Sequence, residues 1–318
     1  MITRIMFATD FSRWARRAED YACALACSWR ASLTVLSVAE FPPGLNPDYP
    51  INQQYLADLL KNASSQLVDL KRRAERRGIA VTTRMASGIP SEEVTTAARA
   101  EDSDLIVVGT RGKTGLAHVL LGSTAERVIR GAPCPVLTVR TDPADIEEEE
   151  GALSRPVTLE RILVPVDFSD CSLDALEYAA VVAQQAKASL LLLHVLEPVS
   201  YGLDFTLGHS RTREQVREAW TKRLEELASS LTVPHVPVES RLRGGLPADS
   251  ILDSARTLPC DLIVMGTHGR RGFSHAFSGS VAEAVLRKAR CPVLTVRNPK
   301  FGPSHSRVIP TAMSPVTG

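Results

Sequence analysis

Short apolar runs alternate along the chain with segments in which apolar residues recur at helical spacing. In the first half this pattern predicts strands at 5–9, 33–38, 80–85, 105–108 and 135–140. It predicts helices between them at 12–32, 54–77, 90–100 and 123–130. Because strands and helices alternate, right-handed parallel crossovers are expected. Each such half should be a doubly wound parallel sheet with helices on both faces.

The second half of the chain repeats the motifs of the first half at a constant separation. Asp10-Phe11-Ser12 recurs as Asp167-Phe168-Ser169, which is 157 residues further along. The same offset relates Gly109-Thr110-Arg111-Gly112 to Gly266-Thr267-His268-Gly269, and Cys134-Pro135-Val136 to Cys291-Pro292-Val293. A constant offset indicates a tandem duplication of one domain. The predicted fold class is therefore α/β, with two tandem doubly wound parallel five-stranded sheets.

The repeat and the local composition together predict the domain boundaries. We expect domain 1 at residues 1–141, a polar linker at 142–158 and domain 2 at 159–297. The linker contains the acidic run Glu147–Glu150, which we assign to solvent rather than to an interaction tail. Residues 298–318 hold four prolines and almost no apolar periodicity, so this tail is expected to be disordered.

Composition excludes several functional classes. The formal net charge is +1, without the basic excess that nonspecific nucleic-acid binding requires. The apolar runs are strand-sized and far shorter than the ~18 residues of a membrane helix. The N-terminal residues resemble a strand and not a signal peptide, so a cytoplasmic location is expected. Six cysteines without a Cys-x-x-Cys pair favour neither a disulfide scaffold nor a zinc site.

A glycine-rich segment follows the predicted fourth strand in each half. In the first half Gly109-Thr110-Arg111-Gly112 is followed after nine residues by Gly122-Ser123. Glycines at such positions allow positive φ or close approach of a ligand, and the free N–H groups of a helix start favour phosphate. The alternative interpretation is tight turns and helix caps, because Ser123-x-x-Glu126 and Ser280-x-x-Glu283 fit capping boxes.

Asp10 and Asp167 each end the first predicted strand of their half, at the edge where such sheets bind ligands. A carboxylate there can accept hydrogen bonds from ribose hydroxyls or the adenine amino group, or help to hold Mg²⁺. The alternative is an acid stabilised by the dipole of the following helix. Two other phosphate loops do not fit. A P-loop would require glycine where Val107 stands, and no dinucleotide fingerprint follows either first strand, which disfavours NAD-type redox chemistry.

Three motifs together resemble the universal stress protein family: Asp-Phe-Ser after the first strand, Gly-x2-Gly-x9-Gly-Ser after the fourth, and Cys-Pro-Val-Leu-Thr-Val-Arg at the last. The resemblance covers residues 1–140 and 159–297. It implies a Rossmann-like fold of the adenine-nucleotide alpha hydrolase type. It also implies one ATP in each half and an intramolecular pseudo-dimer through the last strands, 136–139 and 293–296. A homodimer by another surface stays open.

The resemblance also implies which residues would surround ATP, along adenine and ribose and around the phosphates. In the first half they are Ala8, Thr9, Asp10, Val38, Val108, Gly109, Gly112, Gly122, Ser123 and Thr124. In the second half they are Pro165, Val166, Asp167, Val195, Met265, Gly266, Gly269, Gly279, Ser280 and Val281. The family pattern has proline at Ala8 and histidine at Arg111. The two sites can therefore differ in affinity, in a direction that the sequence leaves open.

The leading functional hypothesis is an ATP-binding stress and regulatory protein whose nucleotide occupancy changes the surface shown to a protein partner. A second hypothesis is an enzyme with slow ATP hydrolysis or autophosphorylation, and a third is an interaction module with vestigial sites. The sequence supplies no catalytic triad or paired carboxylates, so fast catalysis is not predicted. His194, and the pair Cys23 and Cys27 on the first helix, are interpreted as packing residues.

Overall fold

A computed structural model of the chain describes residues 1–40, 49–110, 121–141, 156–197, 209–231, 233–267, 280–297 and 309. The chain divides into two compact units, residues 1–158 and 159–318. The expectations for Gly112, Gly269, Gly279, residues 142–155 of the linker, and the C-terminal tail apart from Ile309 lie outside the described residues.

The first unit contains a parallel sheet whose strands lie in the order β3-β2-β1-β4-β5. The strands are β1 (Arg4–Thr9), β2 (Ser32–Ala39), β3 (Val81–Ser87), β4 (Leu105–Gly109) and β5 (Val136–Val139). The described helices are α1 (Arg16–Trp29), α2 (Pro50–Glu75), α3 (Pro90–Ala100) and α4 (Ser123–Gly131). The central strands β1 and β4 are almost entirely apolar because helices cover the sheet, and Phe7 and Val107 are fully buried.

The second unit has the same topology, with strands in the order β8-β7-β6-β9-β10. The strands are β6 (Arg161–Pro165), β7 (Ser189–Leu196), β8 (Val238–Gly244), β9 (Leu262–Gly266) and β10 (Val293–Val296). The described helices are α5 (Asp170–Ala186), α6 (His209–Ser230), α7 (Pro247–Thr257) and α8 (Ser280–Lys288). Both units are thus doubly wound parallel sheets, which confirms the predicted fold class.

The first helix of the first unit differs from its prediction. Apolar spacing predicted one helix over 12–32, whereas the chain first makes a 3₁₀ turn at Arg13–Ala15 and α1 then ends at Trp29. Its end is marked by Arg30, whose φ of 53° is left-handed and whose N–H donates to the carbonyl oxygens of Ala26 and Cys27. Periodicity alone does not detect such backbone turns, since the apolar spacing continues through them.

A repeated aspartate ties the amino ends of the two central strands together. One carboxylate oxygen of Asp104, just before β4, accepts hydrogen bonds of 2.9 Å from the N–H groups of Thr3 and Arg4. Asp261 accepts in the same way from Glu160 and Arg161 in the second unit. These carboxylates lie at the opposite end of the sheet from the predicted nucleotide residues, so their role is to hold the strands in register.

One residue of the predicted tail, Ile309, contacts helix α5. Its N–H donates to Oε2 of Glu177 at 3.1 Å, and both residues are buried. The equivalent position in α1 is Asp20, whose side chain is 21% exposed. The carboxylate of Glu177 therefore has a backbone donor from the C-terminal segment.

Across the described residues, the helices lack the combination of length and apolar character that a bilayer-spanning helix requires.

The two cysteines of α1 do not share one environment. Cys23 is buried, and desolvation raises the pKa of its thiol to about 12, whereas Cys27 is exposed and its thiol lies 3.6 Å from the carbonyl oxygen of Arg77. The prediction that both pack in the core holds for Cys23 and is wrong for Cys27. Burial also raises the pKa values of Cys260 to about 11 and Cys291 to about 12.

A buried thiol with a raised pKa predicts a loss of stability in alkali. The thiol ionises more readily in the unfolded chain, so the stabilisation is complete below about pH 9 and is lost as the pH rises towards the folded-state pKa of Cys23, about 12. When the pH is raised from 8 to 10.5, the unfolding free energy of Cys23→Ala should fall by roughly 2 kcal/mol less than that of the wild type. Urea unfolding at the two pH values measures this, and equal losses in Cys23→Ala and the wild type would contradict the prediction.

Candidate functional site

The site residues predicted in the first unit lie at the carboxyl ends of the central strands. The chain leaves β1 towards β2 and β3 on one side, and later crosses back to β4 and β5 on the other. The adjacent strands β1 and β4, with Ala8 opposite Val108, therefore flank the switch point of the sheet. Ligands of doubly wound sheets bind in the crevice at this point. The second unit repeats the arrangement with β6 and β9.

The turn after β1 fixes the position of Asp10. Phe11 adopts a left-handed φ of 57°, and the N–H of Ser12 donates to Oδ1 of Asp10 at 2.9 Å. In the second unit Phe168 has φ 61° and Ser169 donates to Asp167 at 3.0 Å. A left-handed phenylalanine is rare, and its occurrence in both units marks a constrained turn at the site. Asp10 and Asp167 are thus held by the same turn, just ahead of the helical segments that begin at Arg13 and Asp170.

Gly122 joins the start of α4 to the end of β4. Its N–H donates to the carbonyl oxygen of Thr110 at 2.7 Å, and the N–H of Thr110 donates to Val139 in β5 at 3.0 Å. The expectation of positive φ is wrong at Gly122, where φ is −70°. Glycine is nevertheless favoured there, because an added Cβ would lie 3.2 Å from the Thr110 carbonyl oxygen. The close approach that the sequence suggested is thus made to the protein's own backbone.

Gly266, at the end of β9, also has no positive φ, and its role is packing against α5. A Cβ there would lie 2.7 Å from Sγ of Cys171 and 2.8 Å from its carbonyl oxygen. Cys171 is in the first turn of α5, so glycine allows the helix start to approach the strand end. This requirement exists without any ligand, which is a purely structural reason for glycine at this position.

Gly266→Ala should therefore destabilise the ligand-free chain. We expect a loss of about 2 kcal/mol, because the new methyl group meets backbone atoms that cannot move away independently. Chemical denaturation without nucleotide measures it. Gly122→Ala, with a looser 3.2 Å contact, serves as the comparison and should lose less. Full rescue of Gly266→Ala by a second change, Cys171→Ala, would contradict the backbone clash, since that change removes only the sulfur.

The predicted capping boxes are wrong for the first unit. The cap position of α4 is Gly122 and makes no side-chain hydrogen bond, while Ser123 is the first helical residue. Glu126 instead pairs with Arg130 at 3.1 Å. In the second unit Gly279, which precedes α8, lies outside the described residues, and Glu283 pairs with Arg287 at 2.9 Å. Ser123 and Thr124 are exposed at the start of α4. Their backbone N–H groups belong to the first turn of a helix, a favourable place for an anion.

The other predicted site residues lie at the ends of strands or at the starts of helices. Val38 in β2 follows Ser37, the partner of Thr9, so the register places it beside Asp10. Val195 in β7 is placed beside Asp167 in the same way. The remaining described residues are at strand ends or helix starts in the two units: Ala8, Thr9, Val108, Gly109, Pro165, Val166, Met265, Ser280 and Val281. Thr9, Val108, Val166 and Met265 are buried, whereas Asp10 and Asp167 are half-buried.

The second unit has an aromatic cluster around Phe168. His194 is 5% exposed, stacks on Trp220 at 4.6 Å between ring centroids, and meets Phe168 edge-on at 5.3 Å. Its Nδ1 lies 2.6 Å from the carbonyl oxygen of Val166 and must carry the proton, since a carbonyl can only accept. The guanidinium of Arg223 lies 4.4 Å above the Phe168 ring. The interpretation of His194 as a packing residue is confirmed.

Sequence reasoning missed several residues of this edge. It did not detect the left-handed Phe11 and Phe168, because phenylalanine carries no propensity for that conformation. It did not single out Gly88 and Gly245, which have φ values of 147° and 135° and whose N–H groups donate to the ends of β2 and β7. The available signal was the Gly-x-Pro motif, which recurs at the same 157-residue offset. In the described part of the chain, no group of three or more His, Cys, Asp or Glu side chains could hold a metal ion.

The sequence profile of the universal stress protein family matches residues 1–140 and again 158–297. The chain belongs to the universal stress protein family. It is a tandem member, because one family domain follows another, as the resemblance implied. The two matches cover both sets of strand-end residues described above.

Individual relatives agree with this assignment. Universal stress protein MJ0531 of Methanocaldococcus jannaschii is 36% identical over 43% of this chain and 81% of its own length. Universal stress protein Rv2005c of Mycobacterium tuberculosis is 30% identical, and the match spans 62% of each chain. The structure of PA1789 from Pseudomonas aeruginosa, described as functionally unknown, superposes with a TM-score of 0.66 at 23% identity, covering 94% of this chain and 93% of its own. That likeness concerns the fold.

Proposed function

We propose that this universal stress protein binds ATP, with one site at the carboxyl edge of the sheet in each unit. The supporting observation is the repeated turn in which a left-handed phenylalanine holds Asp10 or Asp167 at the switch point. In the first unit that turn stands beside β4, and Gly122 links β4 to the start of α4. A carboxylate for ribose or adenine thus lies at the same edge as helix-start N–H groups for phosphate.

The near-neutral net charge supports a phosphate site that consists of nearby hydrogen-bond donors. With a net charge of +1, the chain has no overall positive field to attract a triphosphate. Binding would depend on backbone N–H groups and on side chains at the site itself, such as Ser123 and Thr124. Mg²⁺ would arrive with the phosphates, and Asp10 would be the carboxylate to help hold it. The described residues contain no group of three or more His, Cys, Asp or Glu side chains that could hold the ion alone.

The regulatory part of the proposal is that ATP occupancy alters the surface that a partner protein recognises. Ser123 and Thr124 are exposed in the described structure, so a ligand that contacts the start of α4 would change a solvent-facing surface. Action in a stress response and residence in the cytoplasm belong to the same proposal, as does the intramolecular pseudo-dimer through the last strands.

Isothermal titration of the full chain with ATP and Mg²⁺ tests the binding, and release of labelled γ-phosphate from the same preparation tests turnover. We expect saturable heat without sustained phosphate release. Sustained release that disappears in Asp167→Ala would favour the slow enzyme instead. Absence of heat, with no nucleotide on the purified protein, would contradict the proposal and favour an interaction module.

A further inference from the structure

The two copies of the Asp-Phe-Ser turn have different hydrogen bonding. In the second unit the hydroxyl of Ser169 donates to Oδ1 of Asp167 at 2.6 Å and accepts the N–H of Ser172. In the first unit the backbone N–H of Ser12, and not its hydroxyl, bonds to Asp10. The Oγ atom of Ser12 is buried and has no hydrogen-bond partner among the described residues. The second turn is therefore closed by its own serine, and the first is not.

A second buried hydroxyl in the first unit also lacks a hydrogen-bond partner. Thr110, immediately after β4, is 3% exposed, and its Oγ1 has no partner in the part of the chain that the structure describes. The equivalent residue of the second unit, Thr267, is 2% exposed. Its hydroxyl is not a buried group without a partner, and the residue takes part in a further polar contact. The two buried hydroxyls without a partner in the described residues thus both belong to the first unit.

These two hydroxyls lie on the adjacent strand ends that form the crevice. Ser12 follows β1 by three positions, Thr110 follows β4 directly, and β1 pairs with β4. A buried hydroxyl without a partner is costly, and protein structures seldom tolerate one. Two of them at one ligand-binding edge indicate that the missing partner is a ligand, since each hydroxyl can donate to an oxygen.

We infer that the site of the first unit is the tighter of the two nucleotide sites, because the hydroxyls of Ser12 and Thr110 donate hydrogen bonds to oxygens of the bound nucleotide. The inference rests on the proposed function and adds a direction of affinity and two specific contacts. In the second site Ser169 already bonds to Asp167, so binding there gains no equivalent bond.

The inference predicts effects of opposite sign on stability and on binding. Removing a hydroxyl that lacks a partner should leave the melting temperature of the ligand-free chain unchanged or higher. The same change should weaken ATP binding about tenfold, the loss for one buried hydrogen bond of ~1.4 kcal/mol. A hydroxyl with a purely structural bond would behave differently, because its removal would lower the melting temperature.

The experiment uses the full chain with one site disabled at a time. In the Asp167→Ala background, Ser12→Ala and Thr110→Val are titrated with ATP and melted without it. In the Asp10→Ala background, Thr267→Val is the matched control for affinity, with an expected change below about twofold. Ser169→Ala is the control for stability, and it should lower the melting temperature because it loses two bonds.

The expected result is that the Asp167→Ala chain binds ATP about 100-fold more tightly than the Asp10→Ala chain, because two bonds contribute about tenfold each. Ser12→Ala and Thr110→Val should each remove about tenfold of this advantage. Normal ATP binding with equal sites, or with no effect of either substitution, would overturn the inference and leave the proposed function intact. A lower melting temperature in Thr110→Val would also overturn it, by revealing a structural partner. Absence of ATP binding by the unmodified chain would overturn the proposed function as well.

Discussion

Phe168→Ala should lower the free energy of unfolding of the second unit by about 4 kcal/mol. The Phe168 side chain is 2% exposed and contacts three neighbours, with its ring 5.3 Å from His194 and 5.4 Å from Trp220 and with Arg223 stacked over it. Alanine keeps the left-handed backbone, so the loss measures packing and not relief of strain. Urea unfolding followed by circular dichroism gives the value.

Phe11→Ala is the matched control in the first unit. Phe11 has nearly the same φ, 57° against 61°, but it is only half-buried. We expect a loss of about 1 to 2 kcal/mol, because less apolar surface returns to water. Equal losses in the two variants would contradict the account, because they would show that the aromatic cluster around Phe168 adds no stability beyond that of a half-buried phenylalanine.

Asp10→Asn should weaken ATP binding at the first site by about 10- to 100-fold, and Asp167→Asn should do the same at the second. Hydrogen bonds to a charged group contribute about 1.5–3 kcal/mol, and asparagine removes the charge. Asparagine keeps a side-chain oxygen that can accept the N–H of Ser12, so the turn should survive. Titration calorimetry on the full chain measures each site.

Asp104→Asn is the control that separates loss of the carboxylate at the site from loss of a carboxylate charge elsewhere in the first unit. Asp104 accepts bonds from the N–H and the hydroxyl of Thr3 and from the N–H of Arg4, at the amino end of the sheet. Its substitution should lower the melting temperature and leave ATP affinity unchanged. If Asp104→Asn weakened binding as much as Asp10→Asn, the carboxyl edge would not be the site.

Much of the fold could be predicted from the sequence, because the repeat is long and the signals are local. The short apolar run at 105–108 predicted a strand that is observed at Leu105–Gly109, and the α3 helix begins at Pro90, as predicted. The constant offset carried these assignments from one unit to the other. The doubly wound order then followed from the alternation of strands and helices.

The details of the site depended on contacts that local patterns do not contain. The Ser-x-x-Glu pattern predicts that Ser123 caps the helix, but α4 begins one residue earlier than that pattern requires, with Gly122 at the cap position and bonded to the Thr110 carbonyl. Glycine at 266 is needed because Cys171, 95 residues earlier, packs against it. The unequal state of Ser12 and Ser169 also arises in three dimensions, since both belong to the same Asp-Phe-Ser motif.

Native mass spectrometry of the full chain titrated with ATP tests the central claim most directly. We expect at most two bound ATP molecules per chain, with one site filling before the other. Asp10→Ala and Asp167→Ala should each keep one ATP, and the double variant should keep none. A chain that shows no ATP adduct, or a double variant that still binds two, would contradict the account.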